Sequence, residues 1–289
     1  LLPIFLIFFV ILMLIPFIGI EIKGAKRWLN FFGLRFQPIE FIKPFFVLIV
    51  AQIIALKWIK NMNLSYFISF ILLSAIVLLL ILQPDLGQSI LLICTWISLI
   101  FVSGVNILFL FLLFIFVIFL FLILLYLAPE KFSYIITRIT SFFDPTKADN
   151  SQSQKAIEAI KQGGLKGEGM GEGILKESVP EAHTDYIIAV ISEEFGSIVS
   201  IFVISIFLFI TFRIVKKIIN SSNNLYKLSL CGLSSLLVFQ TFIHVGVNAN
   251  LLPTTGMTLP FLSYGGSSLL SSGVLAGVIL NYTSLGVKN

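Results

Sequence analysis

Charged side chains are scarce in this sequence. Only 11% of its 289 residues are Asp, Glu, Lys or Arg, whereas 58% are hydrophobic and the mean hydropathy is +1.05. An ordinary soluble domain carries about 25% charged residues, so this composition excludes a soluble globular protein. Because a backbone in lipid must satisfy its own hydrogen bonds, apolar runs of about 20 residues indicate membrane-spanning helices. We therefore predict an all-α polytopic membrane protein, folded as a helical bundle.

Cysteine and histidine are also rare. The two cysteines, Cys94 and Cys231, both lie in apolar runs, which argues against a disulfide framework and a thiolate metal cluster. With only His183 and His244 available, a histidine-based metal site would need several carboxylate ligands, and we predict no metal site. The net charge of +5 comes from scattered residues rather than a polybasic arm, so nucleic acid is not an expected partner.

Eight apolar segments are long enough to cross a bilayer. They cover residues 2–20, 41–59, 66–82, 87–104, 106–127, 186–212, 228–250 and 262–283. We expect residues 1–289 to form one domain that contains a large hydrophilic loop at 128–185. Basic residues are more frequent in cytoplasmic loops, and those at 57–60 and 213–227 therefore place the large loop outside the cytoplasm. Four basic residues between positions 23 and 35 weaken this orientation.

The hydrophilic loop contains two helical patterns and a glycine-rich stretch. Residues 131–143 are expected to form a helix in the membrane interface, and residues 151–162 place apolar and charged side chains on opposite sides of a second helix. Gly163 and Gly164 should end that helix. The stretch GGLKGEGMGEG then lets the backbone either approach a ligand closely or bend freely. A dinucleotide-binding loop is not predicted, because that fingerprint requires a strand before it and a helix after it.

The segment VPEAHTD carries the main candidate for chemistry, Asp185, where the loop meets a span. A carboxylate at the membrane surface can act as a general base on a substrate hydroxyl. Alternatively, Thr184 or Asp185 caps the helix that begins at Tyr186. A triad of Ser178, His183 and Asp185 is not expected, since residues so close in sequence rarely reach the required geometry.

Ionisable residues near or within the apolar segments form a second group of candidates. Glu40 and Lys43 share a helix face, where they either pair with each other or contact a substrate. Asp85 lies in the turn QPDLG, where it can bond the turn backbone. Glu193 and Glu194 are neighbours on a helix and point about 100° apart, so at least one should face the bundle interior.

Polar residues near the end of the chain leave two interpretations open. His244 and Asn248 either continue a polar lining or form hydrogen bonds between helices. Ser263, Ser267 and Ser268 surround a glycine pair at a helix start. They either permit close packing or offer hydrogen-bond donors to a phosphate group.

Four motifs follow one another along the chain. They are GAKRWLNFFGLRFQPIEFIK at 24–43, QPDLGQ at 83–88, VPEAHTDYIIAVISEEFG at 179–196 and LLPTTGMTLPFLSYGGSS at 251–268. Together they resemble the SEDS family of shape, elongation, division and sporulation proteins over nearly the whole chain. The last two motifs are more similar to the FtsW subfamily than to the RodA subfamily. Members of the family usually have ten spans, so the resemblance implies that the first two are absent here.

The resemblance implies a peptidoglycan glycosyltransferase of the bacterial cytoplasmic membrane that polymerises lipid II outside the cytoplasm, in cell division. The family's essential loop aspartate falls on Asp185, which is expected to be the base for the acceptor sugar hydroxyl. Further residues are expected to contact the substrate or its pyrophosphate, or to tune the loop: Lys26, Arg27, Arg35, Glu40, Lys43, Glu177, Glu181, His183, Ser263, Ser267 and Ser268. Ile39 and Gln88 depart from the family pattern, which puts local hydrogen bonds in doubt. No cofactor is predicted, and the sequence does not indicate a divalent cation.

The same resemblance implies partners. A class B penicillin-binding protein, a transpeptidase whose single span packs on the bundle, is expected, together with lipid II and other division or elongation proteins. Two other functions stay open. One is a lipid II flippase, in which polar intramembrane residues line a transport path, and the other is a noncatalytic scaffold that recruits the transpeptidase.

Overall fold

The structure is a computed structural model that describes most of the chain. The described residues are 1–22, 25–31, 34–55, 62–106, 133–143, 151–175, 179 and 181–285, with single positions between 108 and 123.

Helices make up most of the described chain. Their bounds are α1 (Leu2–Ile18), α2 (Pro38–Ala55), α3 (Met62–Leu82), α4 (Leu86–Val102), α5 (Ser133–Phe143), α6 (Ser151–Gly163), α7 (Ala182–Asp185), α8 (Ile187–Asn220), α9 (Asn224–Asn248) and α10 (Gly266–Leu285). The predicted helical bundle is confirmed, and seven of the eight predicted spans coincide with one of these helices. Most of the remaining span, 106–127, lies outside the described residues.

Length and hydropathy separate these helices into two groups. Within the described residues, α2, α3, α8 and α9 are long and apolar enough to cross a membrane, and α1 and α4 are apolar helices of 17 residues. The count of eight spans therefore stays a prediction. Helices α2 and α9 are mostly buried, whereas most residues of α3 and α8 are not fully buried. This difference places α2 and α9 at the centre of the bundle and leaves α3 and α8 facing lipid.

Close helix packing at the centre depends on a small residue. A Cβ at Gly232 in α9 would lie 2.5 Å from a methyl carbon of Val47 in α2 and 2.9 Å from Leu99 in α4. Small residues allow helix backbones in membranes to approach in this way. Gly232 therefore sets the distance at which α9 packs against α2 and α4.

A small antiparallel sheet connects α1 to α2, and it was not predicted from the sequence. Its strands are β1 (Ile20–Ile22), β2 (Ala25–Phe31) and β3 (Leu34–Phe36), paired in that order. Ile20 pairs with Trp28 and Glu21 pairs with Lys26, which leaves Arg27 as an extra residue in β2. Such a bulge redirects a side chain, and here it affects Arg27.

Helix α8 is interrupted at Gly196, whose φ of 85° is not helical. The glycine-rich stretch packs against this interruption. The N–H groups of Glu168 and Gly169 donate to the carbonyl oxygens of Glu193 and Glu194, at 2.9 and 3.1 Å. The loop therefore supplies the hydrogen bonds that the broken helix cannot make within itself.

Glycine is required where the two backbones meet. Helix α6 ends at Gly163, as predicted, and a Cβ there would meet the Ser192 carbonyl oxygen and lie 2.7 Å from Glu193 Cα. The carboxylate of Glu193 accepts hydrogen bonds from the N–H groups of Ile174 and Leu175, at 2.7 and 3.1 Å. The close approach that the glycines allow is thus to α8, and the buried Glu193 holds the loop.

Substitution of Gly163 tests this docking. Gly163→Ala should lower the free energy of unfolding by about 1–3 kcal/mol, because the added methyl group forces the loop away from α8. Gly273→Ala is the matched control, since a Cβ at that helical glycine meets no atom within 4 Å. Thermal unfolding in detergent should show a lower melting temperature for Gly163→Ala alone. Equal melting temperatures for both variants would argue against the docking.

Candidate active site

Four connections meet at one end of the bundle. They are the sheet, the turn between α3 and α4, the segment that precedes α8, and the connection between α9 and α10. Arg27 Nε in the sheet donates to the carbonyl oxygen of Gln83 in the turn, at 2.9 Å. Ser263 Oγ, in the last connection, donates to the carbonyl oxygen of Thr184 before α8, at 2.6 Å. Segments far apart in sequence therefore form one surface.

Asp185 is half-buried in this surface and ends the single turn α7. The turn begins at Glu181, whose φ of 64° lies in the left-handed region. The Asp185 N–H donates to the Glu181 carbonyl at 3.0 Å, and the Tyr264 N–H donates to the His183 carbonyl at 2.9 Å. Backbone hydrogen bonds thus fix the turn both internally and against the α9–α10 connection.

Asn248, the last residue of α9, supports the turn from the bundle interior. Its side-chain oxygen accepts from the Ala189 N–H at 3.1 Å, and its nitrogen donates to the carbonyl oxygens of Asp185 and His244 at 3.0 and 2.8 Å. Asn248 therefore caps the start of α8 at Ala189 from another helix. Thr184, a predicted cap, instead donates to the Glu181 carbonyl.

A cation and the candidate base border the same glycine. A Cβ at Gly256 would lie 3.6 Å from Asp185 Oδ2 and 4.0 Å from Arg27 Nη1. Gly256 also has a φ of 70°, which disfavours other residues. Arg27 is held in place, because it donates to the Pro84 carbonyl and lies 3.9 Å from Asp85 Oδ1. Gly256 therefore leaves space beside both the carboxylate and the guanidinium group.

Asp85 helps to hold Arg27. As predicted, it bonds the turn backbone: its side chain accepts from the Gln88 N–H at 3.4 Å at the start of α4. It also accepts from Gln37 Nε2 at 3.2 Å. Burial raises the pKa of the Asp85 carboxyl group, and the positive charge of Arg27 opposes that change.

Below this surface lies a buried polar cluster. Lys43 Nζ donates to Glu40 Oε1 at 2.9 Å and to Gln240 Oε1 at 3.2 Å, and Gln88 Nε2 donates to Glu40 Oε1 at 2.8 Å. Gln240 Nε2 in turn donates to the Thr258 carbonyl at 2.9 Å. Glu40 and Lys43 are only 3% and 2% exposed. The pairing interpretation of these two residues is confirmed, and they reach the surface only through other side chains.

The remaining charged candidates occupy different places. Lys26, Arg35, Glu181 and His183 are all exposed, on the sheet and on the turn before α8. Glu177 lies outside the described residues. Within the described segments, no three His, Cys, Asp or Glu side chains come close enough together to hold a metal ion.

The three candidate serines are buried. Ser263 holds Thr184, as described above, and Ser268 Oγ lies 2.6 Å from Thr258 Oγ1. Ser263 and Ser268 therefore use their hydroxyl groups within the fold. Contact between a phosphate and Ser263, Ser267 or Ser268 stays a prediction.

Arg138 in α5 was not among the site residues predicted from the sequence. Its Nη1 donates to the Thr254 carbonyl at 2.6 Å. Burial raises the pKa of the Tyr186 phenol, and the negative charge of Asp185 raises it further. A hydrogen bond from Ser153 and the positive charge of Arg138 lower the same pKa. Arg138 therefore contacts the connection between α9 and α10, two residues before Gly256. It is the single charged residue in α5, a signal that could have identified it.

Comparisons with known proteins show the family to which the chain belongs. The profile of the FtsW/RodA/SpoVE family, described as cell cycle protein, matches residues 1–285. The chain belongs to this family. It is 37% identical to the probable peptidoglycan glycosyltransferase FtsW of Caulobacter vibrioides, over 93% of this chain and 68% of that protein. It is 34% identical to the protein of the same name from Pasteurella multocida, over 96% of this chain and 71% of the relative.

Solved structures of family members have the same fold. A chain from a peptidoglycan synthase complex that coordinates polymerization and crosslinking matches with a TM-score of 0.79 and 25% identity, over 99% of this chain and 81% of that one. The rod shape determining protein RodA of Thermus thermophilus matches with a TM-score of 0.65 and 26% identity, over 97% and 76%. The predicted membership of the family is confirmed, and the chain is a membrane protein.

Substitution of Asn248 tests its support of the turn. Asn248→Ala leaves the Ala189 N–H without its partner and should cost about 1–3 kcal/mol. Hydrogen exchange at residues 185–190 should become faster, since these amides depend on the interhelical contact. Asn281→Ala, an exposed Asn in α10, is the control. Unchanged exchange in Asn248→Ala would contradict the assignment.

Proposed function

We propose that this chain is a peptidoglycan glycosyltransferase that polymerises lipid II into β-1,4-linked glycan during cell division. One observation carries the proposal: the Asp185 carboxylate and the Arg27 guanidinium group border the same glycine, Gly256. A base beside a cation suits a reaction that removes a proton from one substrate and releases an anion from another. The names of the relatives and of the related complex support the same chemistry.

The proposed reaction is an inverting glycosyl transfer. Asp185 takes the proton of the acceptor's 4-hydroxyl group, and that oxygen attacks the anomeric carbon of the donor sugar. The bond between this carbon and the pyrophosphate oxygen breaks, and the lipid pyrophosphate leaves with the electron pair. Positive charge at Arg27 would stabilise the departing anion, and the exposed Lys26 and Arg35 would bind the pyrophosphate equally before and during the transfer, through charge-assisted hydrogen bonds.

The position of the site suits a substrate with a lipid tail. Asp185 is half-buried at one end of a bundle whose α3 and α8 expose apolar side chains. A sugar and a pyrophosphate could therefore reach Asp185 while the tail stays in the bilayer. Basic residues in α8 at 213–217 lie at the opposite end, which supports a position of Asp185 on the outer side of the cytoplasmic membrane by the positive-inside rule.

A transpeptidase partner follows from the same proposal. The related solved chain belongs to a complex in which polymerization and crosslinking are coordinated. We infer that a class B penicillin-binding protein pairs with this chain, so that new glycan is crosslinked where it forms. Lipid II is the proposed donor and acceptor, and other division proteins would set where the pair acts.

The polar interior favours transfer over transport. A flippase would need polar residues that line a path for the headgroup. Glu40 and Lys43 instead bond to each other, to Gln88 and to Gln240 in a buried cluster. This pairing suits a rigid support beneath a surface site. A scaffold without catalysis would not need a base and a cation around Gly256.

Asp185→Asn tests the proposal because it removes the charge and keeps the shape. Polymerisation of purified lipid II, by the chain reconstituted with its transpeptidase, should fall by about 10²–10⁴-fold. Glu172→Gln is the control, an exposed acid of the same loop. Both variants should insert in membranes and bind the transpeptidase. Polymerisation by Asp185→Asn at the wild-type rate would refute catalysis by this residue, and lost lipid II translocation with intact polymerisation would favour a flippase.

Lys26→Gln and Arg35→Gln test the pyrophosphate contacts. Each should raise the KM for lipid II by about 3–10-fold with little change in kcat, because an exposed ion pair with the substrate contributes about 1 kcal/mol. Lys166→Gln, an exposed lysine in the glycine-rich stretch, should leave both constants unchanged. Steady-state polymerisation over a range of lipid II concentrations separates the two constants. A KM equal to that of Lys166→Gln would remove both cations from the site.

A further inference from the structure

A basic cavity lies at the end of the bundle opposite Asp185. Its volume is about 260 Å³, below the drug-sized pockets of about 300–1,000 Å³ and suited to a small polar group. Its lining includes Arg213, Lys216, Lys217, Asn220, Tyr226 and Tyr282. None of them takes part in the proposed transfer reaction.

Three helices build the cavity. Arg213, Lys216 and Lys217 follow the spacing of a single helix face in the last turns of α8. Helix α9 contributes Tyr226 from its first turn, and α10 contributes Tyr282 near its end. The two tyrosine rings contact each other, with centroids 5.2 Å apart. The cations therefore face a wall that carries two phenol groups.

The cavity lies at the depth of lipid headgroups. From the interruption at Gly196 to Arg213, α8 rises by about 26 Å at about 1.5 Å per residue, close to the thickness of the hydrocarbon core. Phe212 and Ile219 beside the cations are 65% and 73% exposed, as expected for side chains in lipid. Tyrosine is also enriched at the membrane interface.

The cavity has an excess of positive charge. The sequence contains no Asp or Glu after Glu194, so none of the helix ends that form the cavity supplies a carboxylate. In the part of the chain that the structure describes, no salt bridge involves Arg213, Lys216 or Lys217. Three cations at one site attract an anion, and phosphate is the anion that lipid headgroups supply.

We propose that this cavity binds the phosphate of an anionic phospholipid. Arg213, Lys216 and Lys217 would hold the phosphate, and the Tyr226 and Tyr282 hydroxyl groups can donate hydrogen bonds to its oxygens. The exposed apolar side chains beside the cavity would contact the acyl chains, which favours a lipid over a free phosphate. The site would anchor the inner ends of α8, α9 and α10 to one leaflet. It is independent of the role of Asp185.

The test is a lipid titration of the purified full chain in detergent, followed by native mass spectrometry. Phosphatidylglycerol should bind in preference to phosphatidylcholine. The double variant Lys216→Gln and Lys217→Gln should weaken phosphatidylglycerol binding by about tenfold or more, since each basic residue near a membrane surface contributes about a factor of five. Arg213→Gln should weaken it in the same direction. Because these side chains are exposed, the variants should keep the wild-type melting temperature.

Lys227→Gln is the matched control, a lysine of the same end that does not line the cavity. It should change the affinity by less than about twofold. Equal weakening by Lys227→Gln and Lys216→Gln would show diffuse attraction and overturn the site. Equal binding of both lipids would also overturn it. Displacement of the lipid by millimolar inorganic phosphate would identify a site for a soluble anion and overturn the lipid assignment.

Discussion

The position of Asp185 depends on the amide group of Asn248. This one side chain joins α9 to the start of α8 and to the carbonyl of Asp185 itself. At the edge of a bilayer, a buried N–H or carbonyl group without a partner costs several kcal/mol, so such an amide is strongly fixed. Asn248 thus caps α8 at Ala189 from a neighbouring helix.

The glycines of this fold set distances. Gly232 brings α9 against α2 and α4, and Gly163 brings the loop against the interruption in α8. Gly256 has the opposite effect, because without a side chain it leaves room beside a carboxylate and a guanidinium group. Close packing in the bundle and open space at its end therefore arise from the same residue type, and a rigid interior supports a surface that a substrate can enter.

Much of the fold could be predicted because hydropathy and local pattern determine it. The apolar runs predicted the helices, and the Gly163–Gly164 pair predicted the end of α6. The spacing of Glu40 and Lys43 indicated that the two side chains can form an ion pair. The sheet could not be predicted, since β1 and β3 have only three residues each, and strands of that length carry almost no periodicity. The docking of the glycine-rich stretch on α8 could not be predicted either, because glycine indicates that a backbone can pack closely but does not identify the segment against which it packs.

The candidate site divides in the same way. Asp185 could be found from its place between loop and span and from the motif around it, whereas Asn248, Gly256 and Arg138 matter through contacts that join distant segments. The bulge that redirects Arg27 depends on strand register, which no local pattern reveals. Residues that perform chemistry can thus be read from a sequence more readily than the residues that position them.

Chemical rescue of Asp185→Ala measures the central claim most directly. The claim is that a carboxylate at this point removes a proton from the acceptor sugar, and formate can supply such a group in the space that the substitution leaves. The account predicts very slow polymerisation of lipid II by Asp185→Ala and a rate that rises with formate concentration, with no formate effect on Glu172→Ala. Polymerisation by Asp185→Ala at the wild-type rate without formate would contradict it.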